Sequence, residues 1–372
     1  MAYVPLMFYK SRMTLPPADP ALRLRARAAA ANPVGRFEPY ARAVEPDGWD
    51  MPEEERLART EVALERPRSV LTRNTSPDIP FDRSLNPYRG CEHGCIYCFA
   101  RPSHSYLGLS PGLDFETKLV ARPTAPEVLA RELSKPGYKV APLAIGTNTD
   151  PYQPIEGKYR IMRQILEVLR DFRHPVAIVT KGALIERDID ILAEMASMGL
   201  AQVGISVTTL NAELCRKLEP RAPSPARRLA AIRALAAAGV PVRAMVAPVI
   251  PVLTDTEAEA ILAAVQEAGA GAATWILLRL PHEVAPLFVD WLRRNVPGQA
   301  EHVMSRLRAM RGGRENDPRF GSRMKGEGVE AQLLSLRFRV AAKRLGLDGA
   351  LPRLDCTAFR VPPRVGDQLE MF

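Results

Sequence analysis

Short apolar runs alternate with amphipathic runs between about residue 77 and residue 300. The apolar runs predict strands at 84–88, 143–146, 176–179, 202–207, 242–250 and 274–278. Apolar residues at helical spacing predict helices at 126–134, 158–172, 188–198, 225–238, 255–268 and 283–294. Thr254 is the expected N-cap of the 255–268 helix, and Gly239 follows the 225–238 helix where a left-handed residue commonly ends a helix. The pattern therefore predicts about six β/α units.

Strands that are apolar throughout and separated by helices indicate a parallel sheet covered by those helices. Six units favour an α/β fold with a partial (β/α)6 TIM-type barrel over a complete eight-unit barrel. An open doubly wound sheet is the structural alternative. Residues 1–76, rich in Pro, Arg and Glu, predict an irregular N-terminal arm with at most one short helix, draped over the core at 77–300. Residues 301–372 predict a basic helical extension followed by a tail.

The charge balance favours a polyanionic partner. The 372 residues include 51 Lys and Arg against 42 Asp and Glu, a net charge of +9. Residues 301–345 include eleven basic and five acidic residues. This segment predicts either a basic surface beside the active-site mouth, suited to phosphate backbones, or an ordinary solvated helical face. A hydrophobic content of 47% excludes wholesale disorder.

Cysteine usage and hydropathy indicate the compartment. No apolar run is long enough for a membrane span, and the first residues lack the features of a secretory signal. Five cysteines are an odd number for a disulfide framework, and three of them lie within eight residues. We therefore expect a reduced, cytoplasmic protein with a metal site.

The cysteine cluster Cys91-Glu-His-Gly-Cys95-Ile-Tyr-Cys98 follows the first predicted strand. Three thiolates in one loop can surround one metal centre. One alternative is a zinc site with His93 or Glu92 as fourth ligand, and another is a set of buried structural cysteines. A 4Fe–4S cluster on three cysteines would leave one iron without a protein ligand, open to a cofactor.

The C-x3-C-x-aromatic-C spacing in this position resembles the radical S-adenosylmethionine (SAM) superfamily. Within it, the segments Asn86-Pro-Tyr-Arg-Gly-Cys91, 149–154 (TDPYQP) and 246–250 (VAPVI) are similar to the spore photoproduct lyase-like group, also described as DNA repair photolyases. The resemblance implies a 4Fe–4S cluster on Cys91, Cys95 and Cys98. It also implies that the open iron binds SAM through its amino and carboxylate groups. An electron from a donor such as flavodoxin or ferredoxin would then cleave SAM to a 5′-deoxyadenosyl radical that abstracts a substrate hydrogen.

The resemblance also implies roles for single residues at the ends of predicted strands. These are Tyr97 along the adenine, Thr149 and Asp150 at the methionyl amino group or ribose, Lys181 at the methionyl carboxylate, Ser206 as a further polar contact to SAM, and Arg221 as a second carboxylate contact.

Two departures from the group bear on the reaction. The hydrogen-donor cysteine of spore photoproduct lyases corresponds to Asn148, and the tyrosine after the third cluster cysteine corresponds to Phe99. Neither side chain is a useful hydrogen-atom donor, so the spore photoproduct reaction is not expected. Cys215 and Cys356 are the speculative donors that remain, each with the alternative role of a small buried hydrophobe.

The last residues resemble the peptide with which bacterial repair proteins bind the DNA sliding clamp. Gln368 would be the polar contact, and Leu369, Met371 and Phe372 the apolar anchors; the alternative is a terminal strand docking on its own chain. Together with the basic segment 301–345, this C-terminal peptide favours nucleic acid as the substrate. A DNA lesion or a modified base is the preferred substrate. Radical modification of RNA or of a protein side chain is the alternative reaction. A zinc-stabilised nucleic-acid-binding protein without turnover is the alternative class.

Overall fold

The computed structural model describes residues 27–38 and 59–363. The strands are β1 (Glu61–Leu64), β2 (Thr72–Arg73), β3 (Arg83–Leu85), β4 (Tyr88–Arg89), β5 (Lys118–Ala121), β6 (Leu143–Ile145), β7 (Val176–Thr180), β8 (Ala201–Ser206), β9 (Val242–Val249) and β10 (Ala272–Leu277). The α-helices are α1 (Asp114–Thr117), α2 (Ala125–Leu133), α3 (Glu156–Tyr159), α4 (Ile161–Asp171), α5 (Ile189–Ser197), α6 (Ala212–Leu218), α7 (Pro225–Ala237), α8 (Ala258–Glu267), α9 (Val284–Asn295), α10 (Ala300–Ala309), α11 (Ser322–Lys325) and α12 (Gly328–Arg344).

Six parallel strands form the main sheet in the order β3-β6-β7-β8-β9-β10, and β2 adds to β3 in antiparallel orientation. Within the described ranges, the outer strands β2 and β10 pair with no further strand, so the sheet stays open. The predicted α/β fold with six units and a partial barrel is confirmed. A small second sheet has the order β1-β5-β4.

The helices form one layer outside the sheet. Helix α2 packs on α4, α4 on α5, α7 on α8, and α8 on α12. Helices of successive β/α units therefore lie side by side, as they do around a barrel, and α12 of the extension packs beside α8. A doubly wound sheet would place helices on both of its faces.

The helix predicted at 158–172 shows how the sequence forms these elements. It begins at Ile161 instead, because Arg160 adopts a left-handed conformation with φ of 52° and separates α3 from α4. The buried Glu156 carboxylate accepts hydrogen bonds from the backbone N–H groups of Ile161 at 3.0 Å and Met162 at 3.2 Å. This carboxylate satisfies N–H groups that a helix start leaves unpaired. One stripe of α4 is buried in the core: Ile161, Met162, Ile165, Leu166 and Leu169.

Three local expectations change. Thr254 precedes a short 3-10 turn (Asp255–Glu257), and its hydroxyl accepts a hydrogen bond from the Ile250 N–H at 2.8 Å rather than capping the helix. Helix α6 was not predicted. The part of the arm that the structure describes, 27–38 and 59–76, contains no helix, and strands β1 and β2 join its second stretch to the two sheets.

The extension after residue 300 is helical in α10, α11 and α12, as predicted. Arg337 of α12 forms a two-pronged ion pair with Glu259 of α8, with nitrogen–oxygen distances of 2.8 and 2.7 Å. Across the two described stretches, no helix combines the length and apolar character needed to cross a membrane.

Candidate active site at the carboxyl edge of the sheet

The residues that the sequence singles out follow the carboxyl ends of successive strands. The cysteine loop (residues 90–100) follows β4, Thr149 and Asp150 follow β6, Lys181 follows β7, and Ser206 is the last residue of β8. Because these strands are parallel or directly adjoin the parallel sheet, the residues meet at one edge, where β/α barrels carry their chemistry.

The segment after β6 holds the start of the cysteine loop. The Gln153 amide oxygen accepts a hydrogen bond from the Glu92 N–H at 2.8 Å, and its amide nitrogen donates to the Gly90 carbonyl at 3.1 Å. The Thr149 hydroxyl donates to the Tyr88 carbonyl at 2.9 Å. Thr149 is thus engaged by the backbone. The two motifs of the resemblance lock together as one structural unit.

A buried arginine holds the middle of the loop. Arg101 is 0% exposed and donates to the carbonyls of Cys95 at 2.9 Å and Gly94 at 3.1 Å. Its charge is balanced by Glu116 at 2.5 Å. Glu116 also accepts hydrogen bonds from the backbone N–H groups of residues 28 and 29 at 3.2 and 3.0 Å. One buried ion pair therefore joins the cysteine loop to the described piece of the N-terminal arm.

Asp150 is engaged on both carboxylate oxygens. Oδ1 accepts hydrogen bonds from the Thr180 hydroxyl at 2.5 Å and the Tyr152 N–H at 2.9 Å, and Oδ2 accepts one from the Lys181 N–H at 2.7 Å. The Nδ1 atom of buried His93 lies 3.3 Å from Oδ2, in an ion pair not aligned as a hydrogen bond. Burial opposes the charge of Asp150, but His93 and the hydrogen bonds outweigh it and lower its pKa to about 2. Asp150 thus positions the end of β7.

A second buried network surrounds Glu219. Its carboxylate accepts hydrogen bonds from the Tyr97 hydroxyl, from the Thr208 hydroxyl at 2.8 Å and from the Arg228 guanidinium. Burial opposes the charge of Glu219, but Arg228 and Lys181 lower its pKa to about 2. Glu219 thus fixes the Tyr97 ring from its hydroxyl end.

Lys181 and Ser206 differ from these anchored residues. The Lys181 ammonium lies 5.8 Å from the centre of the Tyr97 ring and makes no hydrogen bond or ion pair within the described chain. Burial lowers its pKa, but the Cys95 thiol and the Glu219 carboxylate outweigh burial and raise it. The Ser206 hydroxyl also makes no hydrogen bond to any described residue, although the Ser206 carbonyl accepts one from an arginine at 3.1 Å. Both groups are free to bind a ligand.

Arg221 is held against the cysteine loop. Its guanidinium donates to the Glu92 carboxylate at 3.1 Å, and Glu92 also accepts a hydrogen bond from the Thr60 hydroxyl. The Arg221 N–H donates to the His93 carbonyl at 3.3 Å. The Nε atom of Arg221 is buried without a hydrogen-bond partner among the described residues. Arg221 therefore supports the loop and keeps one donor unused.

The three thiols lie together in this loop. Cys91 and Cys95 are buried and Cys98 is half-buried, and burial raises the pKa of the Cys95 and Cys98 thiols. Within 27–38 and 59–363, no three His, Cys, Asp or Glu side chains are arranged as ligands of one metal ion. A four-iron cluster takes its thiolates on different irons, so it does not need ligands that converge on one point. The donor set fits such a cluster.

The two speculative hydrogen donors lie differently relative to the cysteine loop. Cys215 is buried in α6, where its sulfur lies 3.7 Å from a Glu219 oxygen and 3.4 Å from an Arg228 nitrogen. Cys356 follows Asp355, whose N–H donates to the Gly199 carbonyl just before β8. Cys356 therefore lies at the amino edge of the sheet, opposite the cysteine loop.

Four residues of the site were missed from the sequence: Arg101, Glu116, Arg228 and, in its anchoring role, Glu219. Glu219 lies two positions before Arg221, and the sequence analysis singled out only the arginine. The one available signal was the position of Arg101, three residues after the last cluster cysteine.

Comparison with known proteins decides the family. Residues 85–265 match the family model described as the radical SAM superfamily. An uncharacterized protein of Mycobacterium tuberculosis is 41% identical over 234 residues, which cover 62% of this chain and 68% of the relative. The chain belongs to the radical SAM superfamily. Membership implies an enzyme that uses SAM and an iron–sulfur cluster. An uncharacterized protein of Methanocaldococcus jannaschii is 28% identical over 173 residues, 46% of this chain and 62% of the relative.

Solved structures of spore photoproduct lyase share the fold of this radical SAM protein. The complex with dinucleoside spore photoproduct has a TM-score of 0.55 at 16% identity, covering 82% of this chain and 86% of that chain. A variant with bound SAM and the same dinucleoside has a TM-score of 0.52 at 16% identity, covering 79% and 82%. At 16% identity, this structural likeness establishes the fold alone.

The two departures from the lyase motifs lie on segments that contact each other in this radical SAM protein. The Asn148 amide lies 3.4 Å from the Ser103 hydroxyl, four residues after Phe99 in the chain. Phe99 is 51% exposed, and the Arg279 guanidinium lies 5.9 Å from its ring centre. Phe99 thus joins the cysteine loop to the segment after β10.

The basic extension is less of a free surface than its charge count indicates. Seven of its eleven basic side chains are engaged by the fold: Arg306, Arg308, Arg319, Arg323 and Arg337 in ion pairs, and Arg311 and Lys325 on backbone carbonyls. In the described chain, four exposed ones have no ion pair: Arg314, Arg339, Lys343 and Arg344. Most of the positive charge of this segment is therefore paired or hydrogen-bonded within the fold, and these four residues fit the solvated-face interpretation.

Proposed function

We propose that this protein binds a 4Fe–4S cluster through Cys91, Cys95 and Cys98 and uses SAM to modify nucleic acid. The observation that carries the cofactor part is the free Lys181 ammonium beside three loop thiols at the carboxyl edge. The bound, reduced cluster would supply the electron that cleaves SAM to a 5′-deoxyadenosyl radical.

The residues around the loop would orient the cofactor. Lys181 would bind the methionyl carboxylate, Ser206 would add a hydrogen bond, and the Tyr97 ring would lie along the adenine. Thr149 and Asp150, whose polar atoms already bind protein groups, would act by positioning the loop and the end of β7. Arg221 would reach the cofactor only by leaving Glu92.

The reaction would differ from spore photoproduct cleavage. Asn148 and Phe99 occupy the positions of the hydrogen-donating residues in those lyases. Cys215 is buried against the Glu219–Arg228 ion pair. Cys356 lies at the opposite edge of the sheet, which argues against direct donation by Cys356. The proposed substrate is a base lesion or a modified base. Its conversion would not need the two hydrogen-donating residues of those lyases.

The nucleic-acid part of the proposal has two supports. The solved structures of the same fold include complexes with a dinucleoside, and the chain carries a net charge of +9. The proposed sliding-clamp contact through Gln368, Leu369, Met371 and Phe372 falls outside the described residues. A flavodoxin or ferredoxin is the proposed electron donor.

Anaerobic reconstitution with iron and sulfide, followed by dithionite and SAM, tests the chemistry by assay of 5′-deoxyadenosine. We expect formation that is abolished in Cys95→Ala and retained in Cys356→Ala, a matched loss of one thiol away from the loop. A colourless protein that retains zinc and forms no 5′-deoxyadenosine would overturn the enzyme proposal. Stimulation by lesion-containing DNA, compared with RNA and peptides, then tests the substrate class.

A further inference from the structure

Four aromatic side chains are exposed in the described chain, and they are not scattered. They are Phe37, Phe99, Tyr106 and Phe320, with exposed fractions of 57%, 51%, 71% and 59%. Isolated apolar residues are common on protein surfaces, whereas a connected group marks an interaction site.

Three of these rings contact an arginine, and the fourth, Tyr106, contacts the ring of Phe37. Arg36 lies 5.4 Å from the centre of Phe37, whose ring lies 5.0 Å from that of Tyr106. The other two pairs are Arg279 with Phe99 at 5.9 Å and Arg323 with Phe320 at 4.7 Å. We refer to these four aromatic residues and three arginines as the aromatic ribbon.

The members of the aromatic ribbon lie on segments that contact one another. A guanidinium nitrogen of Arg36 lies 3.5 Å from the carbonyl of Pro102, in the 3-10 helix that follows the cysteine loop. A guanidinium nitrogen of Arg279 lies 3.9 Å from the sulfur of Met324, the chain neighbour of Arg323. The ribbon therefore includes the end of the cysteine loop, the 3-10 helix that follows it and the segments after β10.

The charges along the ribbon are not equally balanced. Arg36 pairs with Glu283 at 3.1 Å, and Arg323 pairs with Asp78 at 2.6 Å. Arg279 has no carboxylate partner in the described chain, and its Nε atom is buried without a hydrogen-bond partner. Burial and the neighbouring Arg323 lower its pKa, and the attraction of Asp78, which is paired with Arg323, does not compensate, so Arg279 lacks a full counter-charge. An anionic ligand would supply that counter-charge.

We propose that the aromatic ribbon binds single-stranded or locally opened nucleic acid. Bases stack on Phe99 and on the Phe37–Tyr106 pair, and a backbone phosphate binds Arg279. Alternating aromatic and cationic side chains suit an unpaired strand, because its base faces are free to stack, whereas a duplex hides them. The inference rests on the proposed function and specifies its substrate as an unpaired strand.

Fluorescence anisotropy with the reconstituted protein tests the ribbon, using a labelled 12-nucleotide single-stranded DNA and the matching duplex. We expect the single strand to bind at least tenfold more tightly than the duplex. Phe99→Ala should weaken single-strand binding about tenfold or more. Arg279→Gln should weaken it similarly and lower the slope of log affinity against log salt by about 0.7.

Two exposed residues of α12 provide matched controls, Leu333→Ala for an apolar side chain and Arg339→Gln for a charge. Each control should change the affinity less than twofold. Equal binding of single strand and duplex would overturn the inference, as would equal losses in Arg279→Gln and Arg339→Gln. Arg279→Gln leaves the cysteine loop unchanged in sequence, so it remains informative if Phe99→Ala folds poorly.

The outcome is separable from that of the proposed function. Formation of 5′-deoxyadenosine without nucleic acid tests the radical chemistry and does not involve the ribbon. If that product forms while Phe99→Ala and the unmodified protein bind the single strand equally, the ribbon is wrong and the chemistry stands. If the ribbon binds as expected and no product forms, the chemistry is wrong and the binding surface stands.

Discussion

The Lys181 ammonium lies 5.8 Å from the centre of the Tyr97 ring. The two residues come from different β/α units, since Tyr97 belongs to the cysteine loop and Lys181 follows β7. Glu219 holds the hydroxyl end of Tyr97, and Asp150 holds the backbone N–H of Lys181. The aromatic ring and the backbone that carries the cation are thus held in place before a ligand binds, which reduces the ordering cost of binding.

Replacing Lys181 by Met should weaken SAM binding to the reconstituted protein by about tenfold or more, because a hydrogen bond to a charged group contributes roughly 1.5–3 kcal/mol. Equilibrium dialysis with labelled SAM measures the dissociation constant. Lys217→Met is the control, since Lys217 is exposed on α6 and pairs with Glu213. Equal affinities of the two variants would rule out the proposed carboxylate contact.

Replacing Glu219 by Gln should destabilise the protein by about 3–5 kcal/mol, because the buried Arg228 loses its counter-charge. Urea denaturation followed by circular dichroism measures the free energy of unfolding. Glu213→Gln removes an exposed carboxylate of α6 and should change it by less than about 0.5 kcal/mol. If Glu219→Gln does not fold, Tyr97→Phe removes one donor to this carboxylate and should cost about 1.5–3 kcal/mol. A Glu219→Gln protein as stable as Glu213→Gln would contradict the role of this pair.

Replacing Glu116 by Gln should lower the iron bound per protein after reconstitution. The change leaves the buried Arg101 without its carboxylate and weakens the anchoring of the Gly94 and Cys95 carbonyls. Iron and sulfide analysis after gel filtration measures the effect, with Glu127→Gln on the exposed face of α2 as control. Full iron content in Glu116→Gln would show that the ion pair does not maintain the loop.

The sequence predicted the six β/α units because hydrophobic periodicity reports which face of each element is buried. It also predicted that Thr149, Asp150, Lys181 and Ser206 lie at one edge, because residues after parallel strands must meet there. It could not tell the anchored residues from the free ones. The acceptor of the Lys181 N–H is Asp150, 31 positions earlier in the chain, and sequence pattern does not report such a pairing.

The sequence analysis missed the buried networks and overestimated the free basic surface for a related reason. Tyr97 and Glu219 lie 122 positions apart, and only the packing of α6 against the cysteine loop brings them together. Arg323 pairs with Asp78 from the far end of the chain. A count of basic residues in 301–345 therefore overestimates the free positive surface, while Arg279, which has no carboxylate partner among the described residues, lies outside that segment.

Stability should fall as the pH falls below about 6.5, the usual pKa of an unfolded histidine, and His174 should account for part of the loss. Its ring is 0% exposed, and burial lowers its pKa to about 4. The ring is bonded in its neutral form, since Nδ1 lies 3.0 Å from the Pro175 carbonyl and Nε2 lies 2.9 Å from the Tyr138 hydroxyl. Between pH 6.5 and pH 4, His174 is protonated in the unfolded state and neutral in the folded state. Acidification therefore favours unfolding.

At pH 5 this single site should cost about 2 kcal/mol relative to pH 7. Urea denaturation at both pH values measures the loss, and His174→Gln should reduce it by about that amount because glutamine keeps polar contacts without titrating. His302→Gln, at an exposed position of α10, should leave the loss unchanged. The buried His104, whose pKa burial also lowers to about 4, should maintain a residual dependence in His174→Gln. If His174→Gln and His302→Gln lose the same free energy between pH 7 and pH 5, His174 is not the group that links folding to pH.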